Sequence, residues 1–480
     1  MQVRKTPMKL GFVNIMQELQ RFDSTAYITQ PPVSLAILNA VTPKEIETSL
    51  IDEQTDRVEF EGDVFAFSVS TQNSRAVYRH ADALRAAGKK VIMGGIHITV
   101  CPDEALQHAD AIVTGEAETI WPEVCADLLE GKLKARYTGT PTPSSQMKPV
   151  DYRWFGQRRY LTPAPLFATR GCNRRCSFCV SSKNMGPYRT KPLDVLEREI
   201  DQLGELYPSS FLLFTDDNLL VNRKYRVDLL AMLRRKNRRF VTMVTVDQFC
   251  DPALMEEMAA SGCLSVAVGV ESVDEDNCTA VSKYQNLNQP FSDAVHFANK
   301  HGIQVGALLI VGLPHDTPER LMNTVPQLRE MGCTYYDFRI LRIYPSTPLY
   351  SQMLSSGDVT ENWWLKNGSA SNCNHLLPCC MSMDFKHPNF TPMQLQQMAL
   401  KLTIELNPLN YDTVSRILRV GYRGRALKFA TLLLGARLRH FRQARMLLKQ
   451  VEQAMAADVE AHSEKTSVMF DLIPEKSSVN

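Results

Sequence analysis

Long apolar runs are missing from this chain of 480 residues. No stretch approaches the roughly 20 consecutive apolar residues that a membrane-spanning helix needs. The start, MQVRKTPMKLGFVNI, lacks the apolar core and small-residue cleavage site of a secretory signal, so the expectation is a cytoplasmic protein. A charge imbalance is missing as well. The 54 Lys and Arg against 52 Asp and Glu leave a net +2, which gives no general attraction to a polyanion. Gly (23) and Pro (26) are not enriched, and no repeat or low-complexity tract is present, which excludes fibrous, solenoid and disordered classes. Twelve cysteines in a reducing compartment are expected as thiols, metal ligands or core residues rather than disulfides. Cys125, Cys250, Cys263 and Cys333 sit in apolar or helical contexts and read as small buried hydrophobes.

What the chain does have is strand–helix alternation. KLGFV (9–13), DVFAFSVS (63–70), KVIMGG (90–95) and DAIVTGE (110–116) read as strands of a parallel sheet, with ETSLID (47–52) a weaker one. Helical patterns lie between them at Pro32–Val41, Ser74–Ala87, Pro102–Gln107 and Glu118–Leu129. This describes an open, doubly wound α/β sheet over residues 1–140. Such sheets bind ligands beyond the carboxyl ends of their strands, where Ser70, Thr71, Gly94, Gly95, Gly115 and Glu116 fall. The polar, Pro-containing stretch YTGTPTPSSQMKPVDYRW (137–154) reads as a linker.

A second series follows over 160–350. Its strands are PLFATR (165–170), FLLFTDD (211–217), FVTMVTVD (240–247), LSVAVGVES (264–272), VGALLIVGLP (305–314) and YYDFRILRIYP (335–345). Six βα units in this length fit a (β/α)6 partial TIM barrel, in which chemistry sits where strands end. Residues 351–480 read as a mostly helical C-terminal region, with helices over about 392–406 and 411–457. Trp363 and Trp364 are candidates either for a substrate pocket or for packing. Cys373, Cys379, Cys380 and His375 follow no recognised ligand spacing. Residues 416–450 hold ten Lys and Arg and no acid. That run suits either a solvated helix face or a peripheral contact with an anionic membrane, and it lacks the aromatic pattern of nucleic-acid binding.

The sharpest local feature is RGCNRRCSFCV (170–180), with Cys172, Cys176 and Cys179 in a CxxxCxxC spacing directly after a strand. Structural zinc sites usually take four thiolate or imidazole ligands, often as two pairs. Three thiolates could hold zinc with a distant fourth ligand. They could instead hold three corners of an iron–sulfur cubane, leaving one iron open and reactive. The motif resembles that of the radical S-adenosylmethionine (SAM) superfamily. That resemblance implies a [4Fe-4S] cluster whose open iron chelates SAM, an electron transfer that breaks the S–C5′ bond, and a 5′-deoxyadenosyl radical that abstracts a substrate hydrogen.

Further stretches carry the same resemblance at successive strand ends. Phe178 matches the apolar residue beside the adenine. FTDDN (214–218) offers Asp216 or Asp217 for the SAM ammonium. GVES (269–272) offers Glu271 and Ser272 for its ribose or carboxylate. VGALLIVGLPHDTPE (305–319) carries Gly312 on the segment passing the adenine, and YPSTPLY (344–350) matches the end of the sixth strand.

The first domain, with GGIHITVCPDEALQHADAIVTGEAETIWPEV (94–124), resembles the Rossmann-like cobalamin-binding domain that precedes many radical SAM barrels. No histidine stands in an Asp-x-His-x-x-Gly motif; His97 has Gly95 before it and Val100 after it. The resemblance therefore implies cobalamin bound without histidine ligation, its nucleotide tail near Ser70, Thr71, Gly94, Gly95, Gly115 and Glu116. His97 takes a structural or tail-contacting role.

The implied activity is that of a cobalamin-dependent radical SAM enzyme that methylates an unactivated carbon of a small-molecule intermediate, fed by an electron donor such as flavodoxin or ferredoxin. The alternatives are a non-methylating cyclisation or rearrangement, for example of a tetrapyrrole or lipid, and a non-catalytic iron–sulfur redox sensor. The methylase reading requires both cofactors to face one cavity between the first two domains.

Overall fold

The computed structural model describes residues 7–16, 29–365, 385–423 and 427–470. The cysteine-rich stretch with Cys373, Cys379, Cys380 and His375, and the last ten residues, lie outside the described residues.

The first sheet has six parallel strands: β1 (Met8–Asn14), β2 (Ile46–Asp52), β3 (Val64–Ser68), β4 (Lys90–Gly94), β5 (Ala111–Thr114) and β6 (Arg136–Thr138). Their order is β2-β1-β3-β4-β5-β6. The order reverses between β1 and β3, which opens a crevice at their carboxyl ends. β3 and β4 are apolar on both faces because helices cover both sides. β2, the weaker strand by sequence, is paired with β1 along seven residues.

The supposed linker is packed. Residues 136–138 add β6 to the sheet edge, and Met147, Val150, Tyr152 and Phe155 are buried. Val150 N donates to Glu199 at 2.9 Å and the Tyr152 hydroxyl donates to the Pro165 carbonyl at 2.6 Å. Scattered apolar side chains among prolines give no periodic signal, so burial here follows from tertiary partners.

The second sheet is also parallel and runs in chain order, β7 (Pro165–Leu166), β10 (Leu212–Phe214), β11 (Phe240–Thr245), β12 (Cys263–Glu271), β13 (Gln304–Val311) and β14 (Tyr335–Ile340). β7 and β14 are its edges, which makes it a partial barrel of six βα units. The stretch PLFATR is not one strand. Pairing with β10 stops at Leu166, and β8 (Thr169–Arg170) turns away to form a small antiparallel ladder with β9 (Arg189–Thr190). The cause is Asp216, whose Oδ1 takes the backbone N–H groups of Ala168 and Thr169 that would otherwise continue the strand.

The C-terminal region lays the helix Pro392–Leu406 on β14 and packs the helix Leu427–Phe470 against it. The helical stretch expected over 411–457 is two elements, Tyr411–Arg423 and Leu427–Phe470. No helix among the described residues is long and apolar enough to cross a membrane. Cys125, Cys263 and Cys333 are buried as expected, while Cys250 is half-buried. Trp363 and Trp364 serve packing: both are buried, and their indole N–H groups donate to the Ile343 carbonyl and to Glu104.

Candidate functional site

The ladder β8–β9 closes the base of a loop, residues 171–188, that carries the three cysteines. Gly171 starts it at φ 78°, where a Cβ would sit 2.8 Å from the Gly186 carbonyl oxygen. Only glycine fits that turn. The middle of the loop is fastened on two sides: Ser177 N donates to the Val281 carbonyl at 3.1 Å, and Leu349 N donates to the Ser177 carbonyl at 3.0 Å. Cys176 is buried and Cys172 and Cys179 are half-buried. The three sulfurs do not converge within 4.8 Å of one another. A zinc ion with Zn–S bonds near 2.3 Å would draw them to about 3.8 Å apart. Three soft thiolate donors on one loop suit an iron–sulfur cubane held by three protein ligands.

Beside this loop, a cavity of about 390 Å³ opens between the two sheets. From the first domain it is lined by Gly94, Gly95, Gly115 and Glu116; from the second by Thr169 and Arg170 of β8 and by Asp216 and Asp217 after β10. Gly95 (φ 110°) and Gly115 (φ 75°) hold backbone conformations that side chains resist. A Cβ on either would meet a carbonyl oxygen, of Val69 at 2.6 Å and of Gly139 at 2.3 Å. Close packing of these backbone segments therefore demands glycine at both positions, and both line the cavity wall.

Asp216 is buried at the cavity wall. Its Oδ1 accepts from Ala168 N, Thr169 N and the Thr169 hydroxyl, and its Oδ2 has no partner among the described residues. Burial pushes its carboxyl up to about 7, against the three hydrogen bonds that lower it. An unpartnered buried oxygen is costly unless a ligand supplies the donor.

Residues 166–327 match the family model for the radical SAM superfamily, and residues 31–125 match that for the B12-binding domain. The chain carries a radical SAM domain preceded by a B12-binding domain. These domains bring a [4Fe-4S] cluster, SAM and cobalamin as its cofactors. The enzyme is 27% identical over 414 residues to the bacteriochlorophyllide d C-8(2)-methyltransferase of Chlorobaculum tepidum, covering 82% of this chain and 88% of that protein. It is 28% identical over 336 residues to the C-12(1)-methyltransferase of the same organism, covering 67% and 73%. The fold matches that of TsrM, a radical SAM methyltransferase from Kitasatospora setae solved with cobalamin and a [4Fe-4S] cluster. The TM-score is 0.64 at 15% identity, over 94% of this chain and 100% of that one.

Not every residue singled out in the radical SAM enzyme's sequence reaches the cavity. Gly94, Gly95, Gly115, Glu116, Asp216 and Asp217 line it; Cys172, Cys176, Cys179, Ser70, Thr71, Phe178, Glu271, Ser272 and Gly312 do not. Thr71 is buried with its hydroxyl 3.1 Å from His97 Nδ1, so it points into the B12-binding domain and not towards a nucleotide tail. The Ser70 hydroxyl is spent locally on Asn73. His97 has no exposed surface; its Nε2 lies 3.0 Å from Glu104, which also accepts from Tyr78 and Trp364. Both ring nitrogens are used, and the role is structural.

Glu116 differs most from expectation. It lines the cavity, yet its carboxylate is held by Arg170 at 2.8 Å, by Arg189 at 2.5 Å and by Thr142 N at 2.8 Å. Burial would push its carboxyl up, but the hydrogen bond from Arg189 and the charge of Arg170 outweigh this and hold it below the usual value. Glu118 also pairs with Arg170. The B12-binding domain is thus clamped to both strands at the base of the cysteine loop.

On the barrel side, Glu271 sits at φ 58° with its carboxylate on Lys283 Nζ at 2.5 Å. The Ser272 hydroxyl accepts from Asp274 N. Phe178 packs beside a buried group with Leu341, Ile343 and Trp363. Gly312 (φ 93°) is demanded by packing, since a Cβ would lie 2.9 Å from Leu395. Sequence reasoning missed Arg170, Arg189, Lys283, Asn218 and Gln285. Arg170 and Asn218 stood inside quoted motifs, but their partners are distant in the chain.

Proposed function

We propose that this enzyme methylates an unactivated carbon of a small-molecule biosynthetic intermediate. The observation that carries the reading is the cavity shared by the glycine edges of the B12-binding domain and the end of β10. The two bacteriochlorophyllide methyltransferases, matched along most of their length, support it. When bound, the cluster would supply the electron for SAM cleavage and cobalamin would carry the methyl group. Cys172, Cys176 and Cys179 would hold the cluster on a loop fixed at its base and middle. Asp216 would accept the SAM ammonium on its free Oδ2, with Asp217 beside it. Gly94, Gly95 and Gly115 would admit cobalamin against bare backbone. Glu271, Ser272, Phe178 and Gly312 would serve SAM indirectly, by shaping the walls behind the cluster loop.

A methylase of this kind uses one SAM as methyl source and one as radical source. Anaerobic incubation with cobalamin, reductant and SAM bearing a deuterated methyl should therefore yield both S-adenosylhomocysteine and 5′-deoxyadenosine. Formation of 5′-deoxyadenosine alone, with cobalamin present, would overturn methylation in favour of cyclisation or rearrangement. The electron would come from a small carrier such as flavodoxin or ferredoxin.

The helix Leu427–Phe470 favours a peripheral contact with an anionic bilayer. Lys428, Arg442, Arg445 and Lys449 are exposed and share its surface with exposed Leu432, Leu438 and Met446. Basic and apolar groups on one surface are the pattern of an interfacial helix. Arg437 is not part of it: it is buried and donates to the Leu406 carbonyl. Each basic residue near a negative surface contributes about 1 kcal/mol. Arg442→Gln/Arg445→Gln/Lys449→Gln should then weaken co-sedimentation with phosphatidylglycerol vesicles about 100-fold. Equal binding by parent and variant, or none by the parent, would remove the membrane from the account.

A further inference from the structure

We propose that Asn218 and Gln285 each donate a hydrogen bond to a cluster thiolate, and that these two bonds set how readily the cluster accepts its electron. The inference rests on the reading that the three loop cysteines hold the cluster. Asn218 Nδ2 lies 3.7 Å from Cys172 Sγ, and Gln285 Nε2 lies 3.8 Å from Cys176 Sγ. Both are hydrogen-bond separations for sulfur.

The Asn218 amide has a fixed sense. It is buried, and its Oδ1 accepts from Gln248 Nε2 at 3.0 Å. Gln248 is itself oriented, because its Oε1 accepts from Thr245 N in the cap of the helix Val246–Phe249. Flipping Asn218 would set its NH2 against the NH2 of Gln248 and turn its carbonyl oxygen towards the sulfur, losing a bond and adding a repulsion. The donor therefore faces Cys172.

Gln285 is placed by its turn, Tyr284–Asn286. Asn286 Nδ2 ties that turn to the Gly269 and Val270 carbonyls, and Lys283 ties it to Glu271. Two residues in the left-handed region, Glu271 and Ser282, flank this segment. Non-glycine residues are held there only when surrounding contacts demand it. The segment touches the cysteine loop again where Ser177 N donates to the Val281 carbonyl.

The electrical consequence follows from charge. On reduction the cluster takes one electron from the external donor, and the added charge spreads onto its sulfurs. An N–H aimed at a thiolate stabilises the reduced state more than the oxidised one and raises the potential. Two such donors act on two of three thiolates, in a partly buried site where their effect is weakly screened.

The test is an electron-paramagnetic-resonance redox titration with dithionite of the reconstituted full chain, with iron and sulfide content measured on each sample. Gln285→Met keeps the length of the side chain and removes the donor. It should load iron and sulfide like the parent. At a fixed potential its ratio of reduced to oxidised cluster should fall about tenfold, equivalent to a 59 mV lower midpoint for one electron. Asn218→Leu should shift it in the same direction, and the double variant should shift it further. Full loading with an unmoved midpoint in Gln285→Met overturns the inference. Loss of iron from Gln285→Met overturns it too, because the residue then supports the loop and does not tune it. A parent chain that assembles no iron–sulfur cluster would instead defeat the underlying reading of the cysteines, and the iron assay separates the two failures.

Discussion

Cys176→Ser is expected to abolish 5′-deoxyadenosine formation, to background, and to lower iron and sulfide content after reconstitution. Cys176 is the buried member of the three and stands at the centre of the loop. Two thiolates cannot hold a cubane that already leaves one iron without a protein ligand. No other described cysteine can replace it. Burial pushes the thiols of Cys101, Cys125, Cys263 and Cys333 up to about 12, and those of Cys250 and Cys278 to about 11. None of these six lies on the loop that carries the three ligands. Cys250→Ser, half-buried and outside the loop in sequence, should therefore keep its iron and its product, which makes it the control. A Cys176→Ser protein that still forms 5′-deoxyadenosine with SAM and reductant would remove the loop from the chemistry.

The parallel strands were legible in the sequence for a physical reason. Strands covered by helices on both faces become uninterrupted apolar runs such as VFAFS in β3 and VGALLIV in β13. The cysteine loop was legible because its function needs three ligands close in sequence. What stayed hidden depends on partners far along the chain. The division of PLFATR into two strands is imposed by Asp216, 47 residues from Thr169. Glu116 looked like a ligand contact because it follows a strand-end glycine; its real partners, Arg170 and Arg189, are 54 and 73 residues away. The residues 137–154 look like a solvated linker until Glu199 and Pro165 supply their hydrogen bonds. No local pattern marks Gln285 as a neighbour of Cys176, since only the fold brings residues 109 apart together.

The clamp at Glu116 carries the second large expectation. The Glu116, Arg170 and Arg189 side chains are 14%, 13% and 11% exposed. Removing one partner from a buried ionic group leaves the others uncompensated, at a cost of about 3–5 kcal/mol. Glu116→Ala strips two guanidiniums at once, one of them two residues before Cys172 and the other on the closing strand β9. The thermal midpoint should fall by about 3–5 °C, and iron loading should fall with it because the base of the loop loosens. The pH dependence has a definite sign. The folded protein holds the Glu116 carboxyl below its usual value, so its contribution is complete above the ordinary glutamate range near pH 4.3 and is lost as pH falls through the lower folded value. Glu116→Gln at neutral pH should therefore be less stable than the parent, and the gap should close on acidification. Removing both partners in Glu116→Gln/Arg189→Met should cost less than the sum of the single changes, since no lone charge is left between them. A parent and a Glu116→Ala variant with the same midpoint and the same iron content would show that the two domains hold the cysteine loop by other contacts.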